Sequence, residues 1–324
     1  MVKLASAEMA EKKLATRAAF GATLAELAEE GVPVVAVDAD LTGSTTTKKF
    51  ATAAPENADK LFNCGIAEQN MIDVAAGLAL TGHVAYAGSF AVFGTGRAYD
   101  QIRNTVCYSN LDVKICPTHA GVSVGPDGGS HQMLEDVSLM RGLPNMRVLV
   151  PADYAAARAA IKLAAKTPGP VYVRMGRAAV PCVYDADVEL ELGRAYVLRE
   201  GSDATIVACG VEIREALAAA DALAEEGISA EVVDAFSVKP LDEDTITASV
   251  SKTGCCVVAE EHSVHGGLGS AVAECLARKN PAPCEFVGVQ DRFGKSGEFE
   301  ELLGYFNLDA AAIVEAVKRA MGRK

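Results

Sequence analysis

Short apolar runs rich in β-branched residues alternate with alanine-rich stretches along almost all of this 324-residue chain. That alternation admits few folds. Parallel strands buried on both faces read as continuous apolar runs, and each needs a crossover, usually a helix, to reach its neighbour. Nine runs qualify as strands: Val32–Val37, Val84–Ala87, Val113–Cys116, Arg147–Val150, Val171–Arg174, Thr205–Cys209, Ala230–Val233, Cys255–Ala259 and Glu285–Val289. The spacing between them predicts helices over Leu14–Glu30, Met71–Leu80, Ala152–Lys166, Ile213–Glu226, Leu268–Arg278 and Ala310–Met321. The expected fold is α/β, assembled from βαβ units.

A chain of this length exceeds the usual single domain. The rhythm breaks between Pro181 and Glu200, where Pro181, the acidic run Asp185 to Glu191 and Gly193 interrupt it as a linker would. We therefore expect two consecutive domains, 1–190 and 191–324, each a mostly parallel sheet flanked by helices. No internal repeat or low-complexity tract is visible, and the alanine tracts follow from helix propensity.

Thirty basic against 43 acidic residues leave a formal charge of −13, which excludes nucleic acid and anionic membranes as attractive partners. Nine cysteines without regular spacing, two of them adjacent at Cys255 and Cys256, read as reduced buried thiols. No run reaches the roughly 18 apolar residues a bilayer span needs, and the N-terminus has no charged-then-apolar signal pattern, so a cytoplasmic location is expected.

Several residues stand where chemistry is done. Ligands of open α/β sheets bind at the carboxyl ends of the strands, and the candidate residues all sit just past a strand or open a helix. Glu68 begins a helix whose next turns are apolar; by spacing alone it is a first-turn glutamate complementing the helix dipole. Phe90 and Phe93 follow the strand at Val84 as core or as a platform for a flat ligand. His119 and His131 flank a loop holding Gly121, Gly125, Asp127, Gly128 and Gly129, too polar and glycine-rich to serve packing alone. Histidine suits proton transfer near neutral pH, since its unperturbed pKa is about 6.5. Arg17, Ser44 and Arg177, taken singly, are ordinary surface groups; converging, two guanidinium forks and a hydroxyl would hold an anion. The run His262 to Gly269 lacks the full G-x-G-x-x-G spacing and reads as a structural strand-to-helix turn, with His262 near a subunit interface.

The strings Gly65-Ile66-Ala67-Glu68-Gln69, Ala75-Ala76-Gly77-Leu78-Ala79, and Thr118-His119 through Gly125-Pro126-Asp127-Gly128-Gly129-Ser130-His131-Gln132 resemble the pyrimidine-binding domain of the transketolase and deoxyxylulose-phosphate synthase families. The resemblance implies thiamine diphosphate and Mg²⁺ as cofactors. It makes Glu68 the carboxyl that hydrogen-bonds a pyrimidine nitrogen, and so requires it to be protonated or to share a proton, through burial. Phe90 and Phe93 become the wall against the aminopyrimidine, with Asp40 a further cofactor contact. Asp127 would meet a sugar hydroxyl, His131 the reacting oxygens, and His119 the far end of the substrate. Glu68, His131, His119 and Asp127 form the catalytic set, while Arg17, Ser44 and Arg177 would grip the terminal phosphate. Pro126 stands where transketolases usually carry a glutamate that contacts the neighbouring subunit, and Gly96 where many carry a tyrosine, whereas Arg97-Ala98-Tyr99-Asp100-Gln101 is more similar to the synthase.

Enzymes of this kind hold the diphosphate through Mg²⁺ on a Gly-Asp-Gly segment with a downstream asparagine, oxygen ligands suited to that metal. No such arrangement occurs here, so no metal ligand is assigned to this chain. The resemblance covers the family's second and third domains only. It implies the C-terminal subunit of a two-subunit transketolase, passing a two-carbon ketol unit from a ketose phosphate to an aldose phosphate. An N-terminal, diphosphate-binding subunit would be its partner, in a heterotetramer. The alternatives are the β subunit of a 2-oxo-acid dehydrogenase, a deoxyxylulose-phosphate synthase fragment, and a non-catalytic assembly subunit.

Overall fold

The computed structural model describes residues 2–324. Fourteen strands occur among them: β1 Lys13–Ala15, β2 Val34–Asp38, β3 Leu61–Asn63, β4 Val84–Gly88, β5 Val113–Ile115, β6 Arg147–Leu149, β7 Val171–Val173, β8 Ala179–Pro181, β9 Tyr196–Arg199, β10 Ala204–Ala208, β11 Ala230–Asp234, β12 Ser237–Lys239, β13 Cys256–Ser263 and β14 Cys284–Val289. Seven form one sheet in the order β12-β6-β7-β5-β4-β2-β3, and five form a second in the order β14-β13-β10-β11-β9. Every pair in the first sheet is parallel except β12 on β6, and in the second only β9 on β11 is antiparallel. All nine expected strands are present. Most of their residues are buried, whichever face they point to, including the charged Lys114 in β5 and Glu231 in β11.

Helices pack both faces of the sheets, largely through small residues: Ala155, Ala156, Ala157, Ala160 and Ala164 of helix Tyr154–Lys166 are all buried. The expected helix from Leu14 begins only at Ala19. Leu14 instead pairs with Val180 in the two-stranded ribbon of β1 and β8, so long-range pairing overrides its helical preference. That ribbon has a functional consequence, because it brings the segments carrying Arg17 and Arg177 together. Arg17 N–H donates to Gly176 O at 3.3 Å, and Gly176 N–H donates to Thr16 Oγ1 at 2.8 Å.

The segment 181–200 is a packed crossing and not a loose tether. Tyr184, Val188 and Leu190 are buried, and the Tyr184 hydroxyl donates to Asp234 Oδ2 at 2.5 Å. The chain after this crossing builds the second sheet but also returns one strand, β12, to the edge of the first. Close approach is enforced by Gly21, where a Cβ would overlap the carbonyl oxygen of Thr46; helix Ala19–Glu29 can therefore lie directly on the loop that carries Ser44. All nine cysteines are free, seven of them buried. No helix among the described residues is long and apolar enough to cross a membrane.

Candidate active site

Five carboxyl ends of the first sheet feed the site. β2 runs into the loop bearing Asp40 and Ser44, β3 into Glu68, β4 into Phe90, β5 into His119, and β7 into Arg177. The loop after β2 is organised by buried Asp38. Its carboxylate accepts from Thr45 Oγ1 at 2.6 Å, Thr47 Oγ1 at 2.9 Å and Leu41 N–H at 2.7 Å, and burial nonetheless raises its pKa. Asp40 follows in the left-handed region, φ 65°, exposed at the sheet end. Asn63, the last residue of β3, accepts from Asp40 N–H at 3.0 Å, donates to Asp40 Oδ1 at 3.2 Å and accepts from Gly65 N–H at 3.0 Å. Asp40 is thereby tied to the turn that launches helix Glu68–Leu80.

Glu68 is 1% exposed. Burial was expected of it; its partner was not. Arg97 Nη1 donates to Glu68 Oε2 at 2.8 Å, and the same guanidinium lies over the Phe93 ring, 4.6 Å from its centroid. In the chain as it stands, Glu68 is a hydrogen-bond acceptor in an ion pair, whereas the expected role needs a carboxyl that donates. Phe90 and Phe93 run nearly parallel, 12° apart with centroids at 6.3 Å. Phe93 sits in an irregular helix, with π-helical turns at Val92–Arg97 and Ile102–Tyr108 around a short α-helical segment. Such turns recur at functional sites.

The histidines pack on the same wall. His119 stacks on Phe90 with centroids 3.7 Å apart, and His131 stands edge-on to Phe93 at 5.5 Å. His119 is buried in the left-handed region at φ 61°, its Nδ1 sharing a 2.7 Å hydrogen bond with Thr118 Oγ1. Burial, then the cations Arg17 and Arg177, then His131, push its pKa down to about 3. With its pKa lowered in this way the imidazole is neutral near neutral pH, able to donate or accept a hydrogen bond. His131 is half-buried, with Nδ1 3.0 Å from Ser130 Oγ.

Arg17 and Arg177 share the same mouth. Burial lowers the Arg17 pKa, Arg177 lowers it further, and Asp127 opposes both. Arg17 Nη1 donates to the carbonyl of Ser44 at 2.8 Å, and Arg177 Nη1 to that of Val124 at 3.1 Å. Main-chain acceptors thus hold both forks without neutralising them, leaving two cations for an anion. Asp127 is exposed at the end of the turn Val122–Asp127.

Two features behind the histidine loop had no clear sequence signal. One is a buried acid network: Arg174 donates to Asp136 through Nε at 2.7 Å and to the carbonyl of Glu261 at 2.9 Å. The Glu261 carboxylate accepts from Ser123 N–H and, at 3.2 Å, from Ser123 Oγ. Burial pushes Glu261 up to about 7 despite Arg174, whereas Arg174 and His262 hold Asp136 below its usual value against the effect of burial. Gly121 is obligatory here, since its φ of 79° favours glycine and a Cβ would overlap the Glu261 carboxyl. The other is a clasp from the second sheet: Gln132 Nε2 donates to Lys295 O at 2.9 Å and Lys295 N–H returns to Gln132 Oε1 at 2.8 Å. His262, expected near a subunit interface, is buried inside the chain, its Nε2 accepting from Ser138 N–H at 3.4 Å. Among the described residues, no group of three or more His, Cys, Asp or Glu side chains is placed to hold a metal ion.

The residues fit an aminopyrimidine. A flat group between the Phe93 ring and the Glu68 carboxyl already makes one stack and one hydrogen bond there, and that group is Arg97.

Comparison with known proteins agrees with this geometry. The transketolase pyrimidine-binding domain matches residues 12–183, and the transketolase C-terminal domain matches residues 193–313. A Methanocaldococcus jannaschii protein named "Putative transketolase C-terminal section" is 45% identical over 311 residues, covering 95% of this chain and 96% of its own length. The 6-deoxy-6-sulfo-D-fructose transketolase subunit SqwH of Clostridium sp. strain MSTE9 is 43% identical over 93% of this chain and 92% of its own. A solved structure described as a split gene transketolase, inactive beta4 tetramer, superposes with a TM-score of 0.87 at 50% identity, covering 96% of this chain and 99% of that one.

Proposed function

The chain belongs to the transketolase family, and from that premise we propose that, as the C-terminal subunit of a split transketolase, it works with an N-terminal subunit to move a two-carbon ketol unit from a ketose phosphate to an aldose phosphate. The observation that carries this reading is the Phe90–Phe93 wall, which Arg97 links to Glu68 and against which His119 and His131 also pack. Cofactor chemistry and sugar binding then share one wall.

Thiamine diphosphate, when bound, supplies the nucleophilic carbon that carries the ketol unit between sugars. Glu68 would hold the pyrimidine by a hydrogen bond, Phe90 and Phe93 would pack on its ring, and Asp40 would stand at the edge of the same turn. His131, beside Phe93, would exchange protons with the reacting oxygens. Neutral His119 would orient a sugar hydroxyl, and Asp127 would accept from another. Arg17 and Arg177, with Ser44 alongside, would bind the terminal anion, and these two cations, which are in no salt bridge among the described residues, let a protein of net charge −13 attract it.

The division of labour is also our reading: residues 1–190 would supply the pyrimidine site, residues 191–324 the C-terminal domain that clasps its histidine loop, and the partner most contacts to Mg²⁺ and the diphosphate. Relatives of the same extent, one a named C-terminal section and one a split-gene product, support a partner of this kind. The inactive β4 assembly of the second supports a chain that is idle alone and active in a heterotetramer. A cytoplasmic sugar-phosphate pathway fits the charge and the free thiols.

The test is ketol transfer from xylulose 5-phosphate to ribose 5-phosphate, with thiamine diphosphate and Mg²⁺, for this chain alone, with its N-terminal partner, and with the partner plus Glu68→Gln. Activity should require both chains and fall by at least about a hundredfold in the variant. A reconstituted pair that binds cofactor yet transfers nothing from any anionic ketose overturns the proposal.

A further inference from the structure

Arg97 makes two contacts at once. Its guanidinium stacks on Phe93 at 4.6 Å and donates to Glu68 at 2.8 Å, a planar group with one face on the aromatic wall and one edge on the buried carboxyl. An aminopyrimidine held by Glu68 and Phe93 would make the same pair of contacts, so the two groups compete for one space. Their exposures differ: the Arg97 side chain is 48% exposed and Glu68 1%. Arg97 thus has solvent to move into, while Glu68 is buried at the start of its helix.

Resting on the function proposed above, we propose that Arg97 is a built-in placeholder for the cofactor's aminopyrimidine, one that holds Glu68 as a carboxylate and must swing out when the ring docks. The exchange changes the chemistry of Glu68. With Arg97 in place the carboxylate accepts a hydrogen bond. When Arg97 leaves, a buried carboxylate loses its counter-charge and takes up one proton from solvent, becoming the donor that a pyrimidine ring nitrogen needs. Docking and proton uptake are then one event, and the free subunit guards its acid.

The test uses the reconstituted two-subunit enzyme with Mg²⁺. Thiamine diphosphate is titrated by calorimetry in buffers of different ionisation enthalpy, which gives both the dissociation constant and the protons taken up on binding. The unaltered enzyme should take up about one proton at neutral pH. Arg97→Gln should take up far less, because no counter-charge leaves Glu68 when the ring docks, and should bind about tenfold tighter because no ion pair of ordinary strength competes. Arg97→Lys, which keeps the charge but loses the planar stack, should fall between, and serves if the glutamine variant does not assemble. A purely structural salt bridge gives the opposite pattern: a lower melting temperature with affinity and proton uptake unchanged, which would sink the proposal. Glu68→Gln separates the two readings. If it binds cofactor as the unaltered enzyme does, the role assigned to Glu68 is wrong, whatever Arg97 does.

Discussion

Replacing His119 by asparagine should change how stability depends on pH. Asparagine is chosen because the position lies at φ 61°, in the left-handed region that asparagine tolerates. The imidazole is held down to about 3 by burial and by the cations of Arg17 and Arg177, against about 6.5 in an unfolded chain. Between those values the unfolded chain carries a proton here and the folded chain does not. Stability therefore rises with pH across the window and falls on acidification. A pH unit well inside the window is worth about 1.4 kcal/mol, and the slope is half that at its upper end, where half of the unfolded chains are already neutral. Lowering the pH from about 6.5 to about 4.5 should then remove about 2.3 kcal/mol through His119 alone. The variant lacks that loss. The stability advantage of the unaltered chain over His119→Asn should shrink by this amount over the same interval, measured by guanidinium unfolding followed by circular dichroism. Acids such as Glu261 and Asp234, which titrate in both proteins, cancel in the difference. A difference that stays flat within about 0.5 kcal/mol would refute the reasoning, because a freely titrating histidine gives that result.

Asp234 predicts the opposite sign. Burial raises it to about 7, so the folded chain keeps a proton that the unfolded chain loses above about 4, and stability falls as pH rises across that window. Asp234→Asn should therefore gain melting temperature relative to the unaltered chain at pH 8 compared with pH 5, and a pH-independent offset would contradict this. Gly121→Ala drives a methyl into the Glu261 carboxyl that anchors the histidine loop, at a positive φ, and should cost about 2 kcal/mol or more in thermal unfolding. Arg177→Ala should raise KM for a phosphorylated acceptor by about ten- to a hundredfold with a smaller change in kcat, leaving an unphosphorylated aldose unaffected; an equal effect on both acceptors would remove Arg177 from the anion site.

The nine expected strands were legible because burial on both faces writes a largely apolar run, even where a strand is only three residues long, as in β7, or carries a buried charge at its centre, as β5 does at Lys114. The strands that left no such run are β1, β3, β8, β9 and β12. Each has a single neighbouring strand, at a sheet edge or in the two-stranded ribbon, and is too short to establish any period. Helix Glu243–Thr253 escaped notice because Asp244, Ser251 and Lys252 dominate its exposed face, and the irregular helix 92–108 because glycine and π-helical turns spoil the 3.6-residue repeat. Residues placed by local chain geometry, such as Glu68 at its helix start and His119 past β5, were readable from position. Residues defined by a distant partner were not. Arg97 gains meaning only from Glu68, 29 positions earlier, and the Lys295 clasp only from Gln132, 163 positions away.

The return of β12 to the first sheet bears on how this chain is made. Until Ser237–Lys239 emerges from the ribosome, β6 has no neighbour on its outer side, and its unpaired amides form an open template for another chain. A fragment stopped near residue 190 would keep every candidate site residue yet carry that bare edge permanently, so it should associate edge to edge at concentrations where the longer chain remains dispersed.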